Sequence, residues 1–388
     1  MATTDHARSA PVAERSRARR YQTPELDLDV TSAPPVVIDP GPPSAVLPPP
    51  EPAVTPVVRR TVEGTPRRSV ADDHVPVAPA RWGWRGAAHR WSGGVVRWRP
   101  TTAELIYRHN LKIIRETSFP RAVNILISNR KGGVGKTPTS LVIGGMLGHI
   151  RGGYVTVWEA SEAAGTLSRR SDGPGGVEFS QLLRDVPTID TAGKLSAFFA
   201  PQTSHADVLA ADGPRQELSA ADVLALRKLL DQFARITLTD SGNNPYHQAY
   251  QAALHTADIV VIPCVIDQDS LDGAEDILQV LDTAGGAVSA DDGLASRVMV
   301  VLSHDGGPEP AGLQAQIEAR LRELYVPFVE VPFDPAIRKG GGIVLGDLSE
   351  SSTRAWTRAT AMTVGLLRSA HLDVDLVAEW TRSIHLPA

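Results

Sequence analysis

A short glycine-rich stretch, KGGVGKT at 131–137, constrains the fold of this chain more than any other feature of its sequence. It follows an apolar run at 123–128 and precedes a helical pattern that begins near Pro138. Strand, glycine turn and helix in this order make a loop whose backbone N–H groups and helix N-terminus face an anion. The sequence therefore predicts a phosphate-binding loop, in which Lys136 reaches the β- and γ-phosphates and the Thr137 hydroxyl ligates Mg²⁺.

The loop carries a second lysine, Lys131, at its start. With it, the stretch resembles the deviant Walker A loop of the ParA/MinD family of ATPases. In that family the first lysine crosses a dimer interface and contacts the phosphates bound by the partner subunit, and the resemblance implies the same role for Lys131. It also implies ATP and Mg²⁺ as cofactors and a homodimer that forms on ATP binding. The loop residues expected to hold the nucleotide are Gly132, Gly133, Val134, Gly135, Lys136, Thr137 and Pro138.

Length and composition exclude several other classes of protein. The 388 residues suffice for one large α/β domain plus additional segments, and the net charge of −5 does not favour a protein that coats a polyanion. Cys264 is the single cysteine, which excludes an intramolecular disulfide or a cysteine cluster and fits a reducing compartment. No apolar stretch is long enough to span a bilayer and no secretory signal is evident, so we expect a cytoplasmic protein.

Two segments precede the loop domain, which we expect to span 121–370. Residues 1–80 are rich in proline and nearly lack aromatic residues, which predicts a disordered arm with polyproline II character. The arm is either a solvated tail or a tether that docks a partner protein. Residues 81–120 begin with tryptophans interleaved with arginines. They end in a predicted helix over 102–116, whose start is indicated by the capping-box spacing of Thr101 and Glu104. The tryptophans either pack this segment onto the domain or form a surface for nucleic acid or a membrane.

Acidic residues after the second predicted strand (154–158) lie where the ParA/MinD family has its switch I. Glu159 matches the first acidic position and is a candidate catalytic residue. Ser161 stands at the second position, where the family has an aspartate that positions the attacking water. A serine cannot act as a carboxylate base. Either Glu162 substitutes for that aspartate or ATP hydrolysis is slow.

The third predicted strand, 235–240, ends in Asp240. An apolar strand followed by an aspartate is a Walker B arrangement, in which the carboxylate holds Mg²⁺. Asp240 is therefore the second predicted metal residue beside Thr137. The segment that follows, 240–245, lies where the family has switch II.

Three more apolar strands are predicted at 258–263, 297–303 and 327–332, with helices over 270–281 and 351–367. Strands that alternate with helices predict a doubly wound, mainly parallel sheet with flanking helices. In the family the loop after the last strand packs against adenine. The resemblance extends this role to Pro332, Phe333 and Asp334.

The end of the chain leaves two questions open. Arg354, Arg358 and Arg368 on the last predicted helix are either a nonspecific DNA-binding face or an ordinary solvated face. The tail over 371–388 has a weak apolar stripe, but Arg382 is its only basic residue after Arg368. We therefore do not expect this tail to bind a membrane.

These observations favour a Mg-ATP-dependent, dimerising ParA/MinD-like ATPase that acts in DNA partitioning or in positioning of cargo. Its ATP hydrolysis would be slow and stimulated by a partner. Two alternatives remain. One is an accessory ATPase of a type VII secretion or conjugation system, since the order of arm, Arg/Trp segment and loop domain resembles the layout of ATPases associated with type VII secretion. The other is a nucleotide-gated scaffold with little hydrolysis.

Overall fold

A computed structural model of the chain describes residues 78–161, 165–173, 178–211, 216–285 and 297–371. All of them belong to the second of the two units into which the chain divides, His74–Ala388. The predicted disordered arm, up to residue 77, and the predicted tail beyond residue 371 lie outside the described residues.

Eight strands form one sheet in the described part of the chain. Their bounds are β1 Val123–Ile127, β2 Val155–Ala160, β3 Ala200–Pro201, β4 Ala206–Leu209, β5 Ile236–Ser241, β6 Ile259–Val265, β7 Val298–Ser303 and β8 Phe328–Val331. The strand order is β3-β4-β2-β5-β1-β6-β7-β8. Neighbouring strands are parallel except β3, which pairs antiparallel with β4. The predicted mainly parallel sheet is confirmed, and β1, which precedes the glycine loop, lies near its middle.

The helices cover both faces of this sheet. Their bounds are α1 Gly83–Trp91, α2 Thr102–Glu116, α3 Lys136–Arg151, α4 Leu167–Arg170, α5 Phe179–Asp185, α6 Ala192–Ser196, α7 Ala220–Phe233, α8 Gln248–His255, α9 Gln268–Gly285, α10 Leu313–Glu323, α11 Pro335–Arg338 and α12 Glu350–His371. One hydrophobic cluster joins the sheet to α2, α3 and α12, and a second joins it to α5, α7, α8, α9 and α10. No described helix is long and apolar enough to cross a membrane.

Side chains of the central strands alternate between these two clusters. In β1, Ile125 and Ile127 belong to the first cluster and Leu126 belongs to the second, and every residue of the strand is buried. A strand covered by helices on both faces has no polar face, which is why the sequence shows a continuous apolar run there. Cys264 of β6 lies in the second cluster as a small packing residue, and burial raises the pKa of its thiol to about 12.

The capping box predicted at the start of α2 is only half formed. Thr101 Oγ1 accepts a hydrogen bond from the backbone N–H of Glu104 at 3.2 Å. The buried Glu104 carboxylate does not return this bond and instead accepts from the backbone N–H of Arg81 at 2.7 Å and pairs with Arg108 at 2.6 Å. Glu104 therefore ties the start of the Arg/Trp segment to α2.

Gly148 brings α3 against the backbone of the segment that enters β4. A Cβ atom at this position would lie 2.7 Å from the Ala206 nitrogen and 2.8 Å from the Ser204 carbonyl oxygen. Because backbone atoms cannot rotate away, we expect Gly148→Ala to lower the free energy of unfolding by about 1–3 kcal/mol. Gly193→Ala in α6 is the control, since a Cβ there meets nothing within 4 Å and the helix propensity of alanine is higher. Urea denaturation measures both, and equal stability of the two variants would contradict this packing.

Candidate nucleotide-binding site

The glycine-rich loop joins the carboxyl end of β1 to the first turn of α3. Gly133 and Gly135 have φ angles of +79° and +94°, in the left-handed region that residues with a Cβ atom avoid. Gly135 is also the N-cap residue of α3, a helix of 16 residues whose first N–H groups have no partner within the helix. The predicted loop residues from Gly132 to Pro138 thus form a backbone cradle at a helix N-terminus, an arrangement that suits a phosphate.

The Lys136 ammonium lies buried inside this loop. Its Nζ donates to the carbonyl oxygens of Asn129 and Lys131, each at 2.9 Å, and to Oδ1 of Asn243. Two of these acceptors are backbone atoms of the loop itself, so they hold the charge at its centre. Asn243 comes from the segment after β5. A phosphate oxygen can therefore replace the Asn243 side chain while Nζ stays in place.

Both predicted metal residues come together at the carboxyl edge of the sheet. Asp240 pairs in register with Ile127, the last residue of β1, because β5 is the neighbour of β1. Thr137 Oγ1 donates to Asp240 Oδ2 at 2.6 Å, so the two oxygens can share one small cation. On its other side Asp240 pairs in register with Glu159 of β2, which places the candidate catalytic residue on the adjacent strand.

The Asp240 carboxylate is buried, and no described residue donates a hydrogen bond to its Oδ1 atom. Burial, together with the negative charge of Glu159, raises the pKa of Asp240 to about 7. The described residues contain no cluster of three His, Cys, Asp or Glu side chains that could enclose a metal by themselves. Mg²⁺ fits this donor set, since it commonly takes one or two protein oxygens and completes its shell with phosphates and water.

Glu159 and Ser161 interact with each other. Ser161 Oγ donates to Glu159 Oε1 at 2.7 Å, and the Gly165 backbone N–H donates to the same oxygen. Ser161 is thus a hydrogen-bond donor to the Glu159 carboxylate. Glu162, the proposed substitute, lies outside the described residues.

Lys131 forms an ion pair within its own chain. Its Nζ lies 2.6 Å from Asp267 and 3.6 Å from Asp269, which follow the carboxyl end of β6. Hydrogen bonding to Asp267 raises the pKa of Lys131, so the side chain carries its charge at neutral pH. The side chain remains about one third exposed, and a partly exposed pair of this kind is readily exchanged for another partner.

A pocket of about 220 Å³ connects the glycine loop to the loop after β8. Gly135 and Pro138 line it on one side, and Pro332, Phe333 and Asp334 line it on the other. The structure thus brings together the residues predicted for the phosphates and for adenine, although they are far apart in sequence.

The Asp334 carboxylate accepts hydrogen bonds from two backbone N–H groups of the chain. Its Oδ1 accepts from the Ala336 N–H and its Oδ2 accepts from the Ser349 N–H, each at 2.9 Å. Asp334 therefore caps α11 and fixes the loop that carries Phe333. The backbone at Gly306 has a φ of +81° and leaves room for the Phe333 ring, which a Cβ there would approach to 2.6 Å.

Sequence reasoning assigned no individual role to four polar residues of this site: Asn129, Thr166, Asn243 and Asp267. Asn129 Oδ1 accepts from the Lys131 N–H at 2.9 Å, and Thr166 Oγ1 donates to Thr137 Oγ1 at 3.2 Å. Asn243 lies in the 240–245 segment, which the sequence analysis placed where the ParA/MinD family has switch II. Asp267 had no local signal, since its pairing depends on β6 lying next to β1.

Comparison with known proteins gives distant relatives. No protein-family model matches the chain. The chain is 25% identical over 226 residues to the ESX-1 secretion-associated protein EspI of Mycobacterium tuberculosis, an alignment covering 57% of this chain and 33% of EspI. The chain thus spans about a third of the length of the curated relatives it matches.

Solved structures similar to this chain include ParA- and MinD-type proteins. The ParA family ATPase of Chlorobium tepidum has 14% identity and a TM-score of 0.47, with 64% of this chain and 98% of that chain covered. Apo McdA of Cyanothece has 16% identity and a TM-score of 0.47, with 63% and 100% covered. MinD of Pyrococcus horikoshii, complexed with Mg-ADP, has 18% identity and a TM-score of 0.46, with 65% and 100% covered.

Proposed function

We propose that this protein is a Mg²⁺- and ATP-binding ATPase of the ParA/MinD type. The observation that carries the proposal is the 2.6 Å contact between Thr137 and Asp240 beside a glycine loop at a helix N-terminus. A cradle for phosphates and an oxygen pair for Mg²⁺ at the same strand edge are the two requirements of this kind of nucleotide site.

Each part of the site has a separate task in this proposal. The backbone from Gly132 to Thr137 and the Lys136 ammonium bind the phosphates. Thr137 and Asp240 would hold Mg²⁺, which neutralises phosphate charge when bound. Pro332 and Phe333 pack against the base, and Asp334 positions them through its two backbone contacts.

The site supports ATP binding more strongly than it supports ATP hydrolysis. Ser161 donates a hydrogen bond to Glu159 and supplies no carboxylate to orient a water molecule. We therefore expect slow turnover that rises with a partner. A phosphate-release assay with and without Mg²⁺ tests this, and binding of ATP with no turnover under any condition would favour the nucleotide-gated scaffold instead.

Dimerisation is the role we propose for Lys131. In the single chain its ammonium contacts Asp267 and Asp269, at the same edge of the sheet as the phosphate cradle. On dimerisation the side chain would leave these partners and contact phosphates bound by the other subunit. Exchanging a partly exposed ion pair costs little, while a phosphate contact across a closed interface gains more.

Lys131→Ala tests the dimer directly. With Mg²⁺ and a non-hydrolysable ATP analogue, we expect the wild type to sediment as a dimer and the variant to dimerise at least about tenfold more weakly, because it loses a charge-assisted interface contact. Lys194→Ala is the matched control, since Lys194 of α6 is an exposed lysine that forms an ion pair with Asp190. A wild type that stays monomeric, or a Lys131→Ala variant that dimerises as strongly, would refute this role.

A secretion-associated role is the second candidate, and the similarity to EspI favours it over DNA partitioning. The two differ in what stimulates the ATPase. Stimulation by DNA with a steep salt dependence would support partitioning. Capture of secretion components by the ATP-bound protein, lost when residues 1–100 are removed, would support an accessory secretion ATPase.

A further inference from the structure

The segment over 81–99 presents an unusual set of exposed side chains, which we call the Trp/Arg surface. Trp91 is 93% exposed, Val95 is 82% exposed and Trp84 is 64% exposed. The Trp84 and Trp98 rings contact each other edge to face with centroids 5.2 Å apart. Trp84 and Trp91 are seven residues apart on α1, so they lie on the same side of the helix. Large apolar side chains are thus grouped at the surface.

These exposed residues sit on a folded segment. Trp82 is its anchor, with its ring 5.2 Å from that of Tyr107 and with the Arg354 guanidinium 5.1 Å from the ring centroid. The Ala80 N–H donates to the Trp98 carbonyl at 2.9 Å and closes the base of the segment. The packing interpretation from the sequence therefore holds for Trp82, whereas Trp84 and Trp91 are held outward.

The charged side chains of residues 81–99 are all arginines, and the buried Glu104 of α2 accepts from backbone N–H groups at the start of this segment. The sequence has no Asp or Glu from residue 81 to residue 103. The basic residues of the Trp/Arg surface are Arg81, Arg85, Arg90, Arg97 and Arg99. None of them forms an ion pair with a carboxylate of the described residues, and Arg85 and Arg90 donate instead to backbone carbonyls of the same segment. An acidic or phosphate-bearing partner would complement this charge.

We propose that the Trp/Arg surface binds an anionic phospholipid membrane from one side, without crossing it. Tryptophan prefers the boundary between headgroups and acyl chains, where its ring is apolar and its N–H stays hydrated. The arginines would contact lipid phosphates, as basic residues near a membrane surface do. Val95 favours lipid over nucleic acid, because an exposed aliphatic side chain gains from acyl chains but offers no face for stacking on a base.

This inference is independent of the nucleotide site and differs from the expectation drawn from the C-terminal tail. It concerns a surface formed before α2, and its test requires neither ATP nor dimerisation. Failure of this proposal would leave the ATPase proposal untouched, and the reverse also holds.

The test is co-sedimentation of the full-length protein with vesicles of phosphatidylcholine alone and with vesicles containing phosphatidylglycerol. We expect binding to the anionic vesicles only.

Arg97→Gln and Arg99→Gln should each weaken binding to the anionic vesicles about fivefold, and Trp91→Ala with Val95→Ala should weaken it about tenfold or more. Arg235→Gln and Tyr325→Asn are the controls, since both residues are exposed outside the Trp/Arg surface. Because the replaced side chains are exposed, the variants should keep the thermal stability of the wild type.

Quenching of tryptophan fluorescence by brominated lipid gives a second readout. We expect quenching by anionic brominated vesicles, reduced in the Trp91→Ala variant that still binds through its arginines. Equal binding to neutral and anionic vesicles, or unchanged binding by the Trp/Arg variants, would overturn the proposal. Binding to a DNA oligonucleotide without binding to vesicles would also overturn it and would assign the surface to nucleic acid.

Discussion

Lys136→Ala is expected to weaken ATP binding by on the order of 100-fold, since hydrogen bonds to charged groups contribute about 1.5–3 kcal/mol each. The Lys136 Nζ is held by the carbonyl oxygens of Asn129 and Lys131. The loop itself therefore fixes the ammonium, and its contact with phosphate requires little reorganisation. Isothermal titration with ATP and Mg²⁺ measures the loss.

The control for this variant must separate lost binding from lost folding. Alanine also removes the three loop contacts of the ammonium, so the thermal unfolding of Lys136→Ala is recorded beside its affinity. Lys194→Ala, which removes an exposed lysine elsewhere, should bind ATP as the wild type does. A folded Lys136→Ala protein with wild-type ATP affinity would show that the glycine loop does not bind phosphate.

Asp240→Asn is expected to remove most of the effect of Mg²⁺ on nucleotide affinity. For the wild type at pH 8 we expect Mg²⁺ to strengthen ATP binding at least about tenfold, because an ionised carboxylate and the Thr137 hydroxyl can both serve as oxygen donors. A neutral amide at position 240 keeps the shape of the side chain and loses its charge. Titrations with and without Mg²⁺ measure the difference, and an unchanged Mg²⁺ effect in the variant would contradict the metal assignment.

The same residue gives this effect a pH dependence with a defined sign. Burial is the main cause that raises the pKa of Asp240 to about 7. Below that pH the carboxyl group is protonated, and Mg²⁺ must displace the proton to bind. The Mg²⁺ effect should therefore weaken as the pH falls from 8 to 6, by up to about tenfold per unit below the pKa. In Asp240→Asn this pH dependence should be absent.

The free energy of unfolding should depend on pH with the opposite sign to the Mg²⁺ effect. A carboxyl group with a raised pKa binds its proton more tightly in the folded chain than in the unfolded one. Its contribution to stability is therefore present at low pH and is lost as the pH rises toward 7. At pH 8 the nucleotide-free Asp240→Asn protein should be more stable than the wild type, by on the order of 1–3 kcal/mol. A variant that gained no stability at pH 8 would contradict the burial of an ionised Asp240.

The central part of the fold was predictable because its signals are local. Buried parallel strands such as β1 and β6 appear as continuous apolar runs, and α7 is bounded by Ser219 with a complete capping box. The short strands β3 and β4, of two and four residues, were not predicted, because so few residues carry no periodicity. Helix α8 was also missed, since its N-cap is His247 rather than a common capping residue.

The candidate site likewise contains residues that the sequence indicated and residues that it did not. The loop from Lys131 to Thr137 is contiguous, so its spacing alone indicated its chemistry. The register of β1 with β5 then placed Asp240 beside Thr137, as the strand-end aspartate suggested. The pairing of Lys131 with Asp267 was not predictable, because it depends on which strands are neighbours in the folded sheet.

The half-formed capping box at Thr101 shows the limit of motif reasoning. The spacing to Glu104 was read correctly as a helix start, and α2 begins at the next residue, Thr102. The Glu104 carboxylate nevertheless accepts hydrogen bonds from the Arg81 N–H and the Arg108 guanidinium, because these tertiary contacts replace the bond to the helix N-terminus. A local motif predicts where a helix begins more reliably than it predicts what each side chain contacts.

A calorimetric titration of the wild-type protein with a non-hydrolysable ATP analogue, with and without Mg²⁺, tests the central claim most directly. The proposed site predicts one nucleotide bound per chain, with an affinity that Mg²⁺ strengthens and that falls when the pH is lowered through 7. Absence of nucleotide binding, or binding that is indifferent to Mg²⁺, would contradict the assignment of the glycine loop, Thr137 and Asp240 as a Mg-ATP site.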